Sequence, residues 1–149
     1  MRYEEVSKDV YELLKEVVKE HFEDLTNVNF KCVFDTKKKI KGGRFIFAYI
    51  KKVNEFTSFL AGDEFDYVIV IDKNIWTAIN KDDKVRIIRH ELRHCFIDSE
   101  KDDPYKIIDH EIEDFYAEIA LNVNDPKWGL RVAAIAESIY DKDSQEVEE

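Results

Sequence analysis

Residues 89–96 read RHELRHCF, and the spacing within this stretch organises the reading of the chain. Asp82 or Asp83 can cap a helix that runs from there through Phe96. At about 100° per residue, Val85, Ile88, Leu92, Cys95 and Phe96 gather on one side, the expected core face. Arg86, Arg89 and Arg93 gather on another, the expected solvent face. His90, Glu91 and His94 fall on a third. A plain amphipathic helix needs only two faces.

Chemistry supplies a reason for the third. Histidines four apart project from adjacent turns on one side, close enough for both imidazoles to reach one Zn2+. The glutamate after the first histidine can approach a water polarised by that ion and take its proton, and such a water attacks a carbonyl near neutral pH. This is the His-Glu-x-x-His logic of metal-assisted amide hydrolysis. The chain holds 4 histidines in 149 residues. At its His and Glu content the pattern is expected by chance about 0.01 times.

A third histidine is available. His110 follows the pair after a polar loop containing Pro104, at the start of the next expected helix, "DHEIEDFYAEIALNV" (109–123). Glu113 and Asp114 compete as a carboxylate third ligand, the arrangement of gluzincins. If His110 ligates, they become candidates to orient an imidazole. Ile112, Phe115, Ile119 and Val123 form the expected buried stripe of this helix. His21, far from the motif, reads as structural or exposed. Tyr105, Tyr116 and Tyr140 are candidate donors to a developing oxyanion, with packing as their plainer role. Trp76 and Trp128 read as core anchors, and Cys95 as a buried residue.

The rest of the chain organises around this helix. Tyr3, Val6, Val10, Leu13, Leu14, Val17 and Phe22 recur at helical spacing and predict an amphipathic helix over 3–23. "VNFKCVF" (28–34) and "RFIFAYIKKV" (44–53) read as strands joined by a basic turn in which Gly42 and Gly43 permit positive φ. "YVIVID" (67–72) is a third strand, and its Asp72 can cap a short helix over 73–80. "LRVAAIAESIY" is a last helix, and "DKDSQEVEE" (141–149) an acidic, frayed and disordered tail. The order of helix, strands, then helices predicts one α+β domain over 1–140 with a three- to four-stranded sheet.

Composition narrows the function class. A net charge of −10 argues against binding nucleic acid or an anionic membrane surface. No apolar run approaches the roughly 20 residues of a membrane helix, and "MRYEEVSKDV" has no apolar signal region. A cytoplasmic protein with reduced Cys32 and Cys95 is expected.

"HELRHCFID" followed by "DHEIEDFYAEI" resembles the phage-type metallopeptidases, small single-domain proteins of zincin type. The likeness covers roughly residues 25–123, and "FIFAYIKKV", "YVIVIDKNIW" and "KDDKVRIIRHEL" fit the family's order of elements. A more distant likeness is to SprT-like zinc proteases, from which this chain departs in lacking a zinc ribbon and a basic DNA-binding region. The resemblance implies His110 as third ligand beside His90 and His94, an arrangement ordinary for zinc with an open fourth position. A zinc-dependent peptidase acting on a peptide or protein is expected, with Glu91 as general base and strand 67–72 aligning the substrate by edge pairing. The rival expectation is a zincin-like binding or regulatory module with a non-catalytic metal site.

Overall fold

The structure, a computed structural model, describes residues 1–98, 100, 105–108 and 116–148. Its centre is a four-stranded mixed sheet in the order β1-β2-β6-β5, with β1 Tyr3–Glu5, β2 Phe30–Asp35, β5 Ala48–Lys52 and β6 Tyr67–Asp72. β2 and β6 run parallel, and β1 and β5 flank them antiparallel. The fold class is α+β, as the order of elements implies.

Alternation along the strands decides what lies beneath. Cys32 stands opposite Ile69 and Phe34 opposite Ile71, and Ile50 meets Ile69 from the other side. These residues and Tyr67 bury against two helices, α1 Lys8–His21 and α4 Lys81–Leu92. α1 contributes Val10, Leu13, Leu14 and Val17, and α4 contributes Ile88 and Leu92. Fully burying side chains of this size stabilises by roughly 1.5–3 kcal/mol each. A second cluster joins α3 Lys73–Ala78 to α6 Trp128–Glu148 through Ile75, Ile79, Ile87, Val132, Ala136 and Tyr140. Trp76 lies in the main core, and Trp128 packs half-buried against the second cluster.

Several boundaries differ from the sequence reading. Residues 3–5 are a strand paired with β2, and α1 starts only at Lys8 after Ser7 in extended conformation. Edge pairing of the backbone overrides a helical pattern there, and Tyr3 stays exposed. Gly42 and Gly43 do take positive φ, but they close a small hairpin of β3 Ile40–Lys41 and β4 Arg44–Phe45. The main strand resumes at Ala48 and pairs with β6 rather than with β2. A helix absent from the sequence reading, α2 Glu55–Ala61, is bounded by Asn54, which accepts from Thr57 N at 2.8 Å, and by Gly62 at φ 78°. Asp72 caps α3 as expected, accepting from Ile75 N at 2.9 Å. α4 is capped instead by Asn80, which accepts from Asp83 N at 2.8 Å.

The expected edge strand is not an edge. β6 is paired on both sides, so an extended peptide cannot add to it. α6 continues past Tyr140 to Glu148, through the segment expected as a tail, with no Gly or Pro after Gly129 to stop it. Among the described residues, no helix is long and apolar enough to cross a membrane.

α4 also ends earlier than expected. Its last residue is Leu92, and Cys95–Ile97 form β7, paired antiparallel with β8 Tyr105–Ile107. Alternation in β7 turns Cys95 and Ile97 toward the core and leaves Phe96, expected on the core face, exposed. Tyr67, fully buried, anchors this hairpin: its hydroxyl donates to Lys106 O at 2.8 Å and accepts from Lys106 N at 3.0 Å. Tyr67→Phe keeps the ring and removes both bonds. A loss of about 1 kcal/mol is expected, with faster exchange of the Lys106 amide. Unchanged stability and exchange across 95–108 would mean that the hairpin is held by other contacts.

Candidate metal centre

The end of α4 decides the geometry of the motif. His90 lies in the last helical turn, whereas His94 lies two residues beyond Leu92, in the turn leading to β7. That turn stays tight. Arg93 N donates to Arg89 O at 3.0 Å, and His94 N donates to Glu91 O at 3.1 Å. The two imidazoles therefore still meet, with ring centroids 5.6 Å apart and nearly perpendicular planes.

His94 is fixed from a second direction. Its Nδ1 lies 2.5 Å from Ile108 O, and Ile108 N donates to His94 O at 2.7 Å. A carbonyl oxygen only accepts, so Nδ1 carries a proton, which in the neutral ring leaves the lone pair on Nε2. Fixing the tautomer through the other ring nitrogen is how ligating histidines are prepared. The donor set suits a borderline metal such as zinc, for which neutral imidazole is an ordinary ligand.

Glu91 does not share the open face that the helical wheel gave it. It is buried at 7% exposure between the two histidines in sequence. Burial raises its carboxyl pKa to about 7, against a small lowering by His90. Cys95 lies close enough that burial first, and then Glu91, push its thiol well above the ordinary range. Cys95 is a free thiol packed against the core, and Cys32 is free and fully buried.

The arginine face is the largest correction. Arg86 and Arg89 are buried, not solvated, and Arg93 is three-quarters covered. Arg89 Nε donates to Glu118 Oε1 at 2.9 Å and Arg93 Nε to Glu118 Oε2 at 3.0 Å. Arg89 also bonds Asn122 Oδ1, which Arg86 Nε approaches at 3.3 Å. Arg86 NH1 pairs with Asp83 at 2.9 Å, and Arg131 of α6 pairs with Asp83 and Asp125. Glu118 and Asn122 come from α5 Tyr116–Leu121 and the turn after it. This polar pair is buried, while Val123, expected in an apolar stripe, is exposed. Periodicity does not reveal the pairing of Arg89 and Arg93, because their shared acidic partner, Glu118, lies 29 and 25 residues away.

Other candidates are placed as follows. His21 closes α1, half-buried and edge-on to Phe22. Tyr140 donates to Asp72 in the second cluster, and Tyr105 packs edge-on against Tyr67. Both are thus engaged structurally. Tyr116 starts α5, with its side chain outside the described set. His110, Glu113 and Asp114 lie outside the described residues, as do Ile112 and Phe115. Among the described residues, no three metal-ligating side chains converge. A surface groove of about 1070 Å3 along α1, β2 and the loop before β6 includes neither histidine of the motif.

The α+β domain carries its His-Glu-x-x-His segment at a helix end, with the second histidine held by a carbonyl. The chain belongs to the family described as "Putative phage metallopeptidase", whose model matches residues 1–140. That family is by its description one of metal-dependent peptidases. No curated protein and no solved structure matches the chain.

The burial of Glu91 has a measurable consequence in metal-free protein. Its folded pKa of about 7 lies above the ordinary 4.5, so the native state holds the proton more tightly. The stability this contributes is fully present below pH 4.5 and is lost as pH rises through 7. Between about pH 5 and about pH 8 the wild type should lose on the order of 3 kcal/mol relative to Glu91→Gln, measured by urea unfolding in chelator. Parallel pH profiles would mean that the carboxyl is hydrated in solution.

Proposed function

We propose that the protein is a zinc-dependent peptidase, with His90, His94 and His110 holding the metal and Glu91 as general base. The observation that carries this reading is the His94–Ile108 contact, which engages Nδ1, so that Nε2 is the nitrogen that would ligate, in a ring that lies edge-on to His90. The same contact supports His110 as third ligand. Ile108 lies against His94, and the two residues from it to His110 reach at most about 7 Å.

A zinc ion held there would serve as a Lewis acid that acidifies water and polarises the scissile carbonyl. Glu91 takes the water's proton and passes it to the leaving amine. A carboxylate suits both steps, because it can accept a proton and later give it up. An extended substrate would use the outer edge of β5, the edge strand that packs against α4 and β8, in place of β6. Lys51 and Lys52 on that strand are exposed, which protects a bare edge from self-association in the absence of substrate.

Purified protein is expected to bind about one zinc per chain, and His90→Ala or His94→Ala to lose it. Glu91→Gln should keep zinc and fold while cleavage of an extended-peptide library falls by about 100-fold or more. Retention of zinc by His94→Ala, or equal cleavage by wild type and Glu91→Gln, would refute the assignment. Zinc kept by His110→Ala but lost in Glu113→Ala or Asp114→Ala would move the third ligand to that carboxylate.

A further inference from the structure

We infer that Glu118 is a positioning residue for the metal site, acting through Arg89 and Arg93 on the backbone that carries His94. The inference rests on the zinc-site reading above. Glu118 is 1% exposed, and its two oxygens are divided between two arginines four residues apart. One is the last-turn Arg89; the other, Arg93, is the first residue beyond the helix. The carboxylate therefore spans the helix end, where the last α-helical bond, Arg93 N to Arg89 O, gives way to the tighter bond of His94 N to Glu91 O. His90 and His94 each directly follow one of these arginines.

The need for such a clasp follows from the helix boundary. Were α4 continuous through Phe96, helical geometry alone would hold histidines four apart in register. It ends at Leu92, and beyond that the chain turns into β7. His94 thus depends on contacts outside the helix. On the ring side it has Ile108 O, and on the backbone side Arg93 is held by Glu118 and lies over the Phe22 ring at 4.6 Å. Simple docking of α5 on α4 does not call for this arrangement, since apolar residues of similar volume dock helices as well as buried ion pairs do. Fixing a register is the best-attested use of such networks.

Glu118→Gln, which keeps the shape and removes the charge, is the first test. Arg93→Gln is the second, because Arg93 is partly exposed and its loss leaves Glu118 paired with Arg89. Arg131→Gln is the control, since it breaks the neighbouring pairs with Asp83 and Asp125 without touching the helix end. Zinc affinity would be read by chelator competition, and the His94 ring by 15N–1H correlation in metal-free protein at a pH where both imidazoles are neutral. Glu118→Gln and Arg93→Gln should bind zinc about 10-fold more weakly or worse, the range for residues that orient ligands. In both, the His94 signal should change from one Nδ1-protonated tautomer to an average of two. Arg131→Gln should leave affinity and tautomer unchanged at a comparable loss of thermal midpoint. Unchanged affinity and a single His94 tautomer in both test variants would overturn the inference, and so would equal weakening in Arg131→Gln. If the wild type binds no zinc, the metal-site reading fails, while the His94 tautomer in the same variants still decides whether Glu118 positions it.

Discussion

The carboxylate of Glu118, closed off from solvent between Arg89 and Arg93, is the constraint on which the arrangement of the C-terminal half depends. Charges taken out of water must be paired and fully hydrogen-bonded, and removing one member of such a set typically costs 3–5 kcal/mol. α5 carries Glu118, and through its two ion pairs the helix is tied to the end of α4. A second set, Asp83 with Arg86, Arg131 and Asp125, ties the start of α4 to α6 in the same way. Asn122 joins the two sets, accepting at Oδ1 from Arg86 and Arg89. Its Nδ2 is the one buried side-chain donor without a partner among the described residues.

This network and the apolar core divide the faces of α4 between them. Ile88 and Leu92 bind the helix to the sheet, and the arginines bind it to α5 and α6. What remains is the narrow sector of His90 and His94, with Glu91 buried at its margin. A helix held on two sides has little freedom to rotate or slide. That rigidity is what a metal site needs, because ligands displaced by even 1 Å lose much of their affinity.

The hairpin of β7 and β8 completes the support from the other direction. Tyr67 sits at the start of the central strand β6 and bonds the backbone of Lys106. Two residues further on, Ile108 makes both of its backbone bonds to His94. A chain of direct contacts thus runs from the sheet to the imidazole without passing through α4. His94 is thus held from outside the helix that it follows.

The local sequence was sufficient for whatever depends on near neighbours. The His-Glu-x-x-His spacing, the cap at Asp72, the positive φ of Gly42 and Gly43, and the core faces of α1 and α4 all follow from side chains within a turn or two. Asn54 and Gly62 also marked α2 at both ends, a signal present in the sequence though not used. Only the tertiary structure decided the rest, because it depends on partners distant in the chain. β6 became central rather than an edge once β5 returned to its far side. Residues 3–5 left the helical pattern to pair with β2. The arginines of α4, charged and periodic, look like a solvent face until Glu118, Asn122 and Arg131 fold over them. Charge specifies a residue's need for a partner, but periodicity carries no record of whether that partner is water or a carboxylate brought from the other end of the fold.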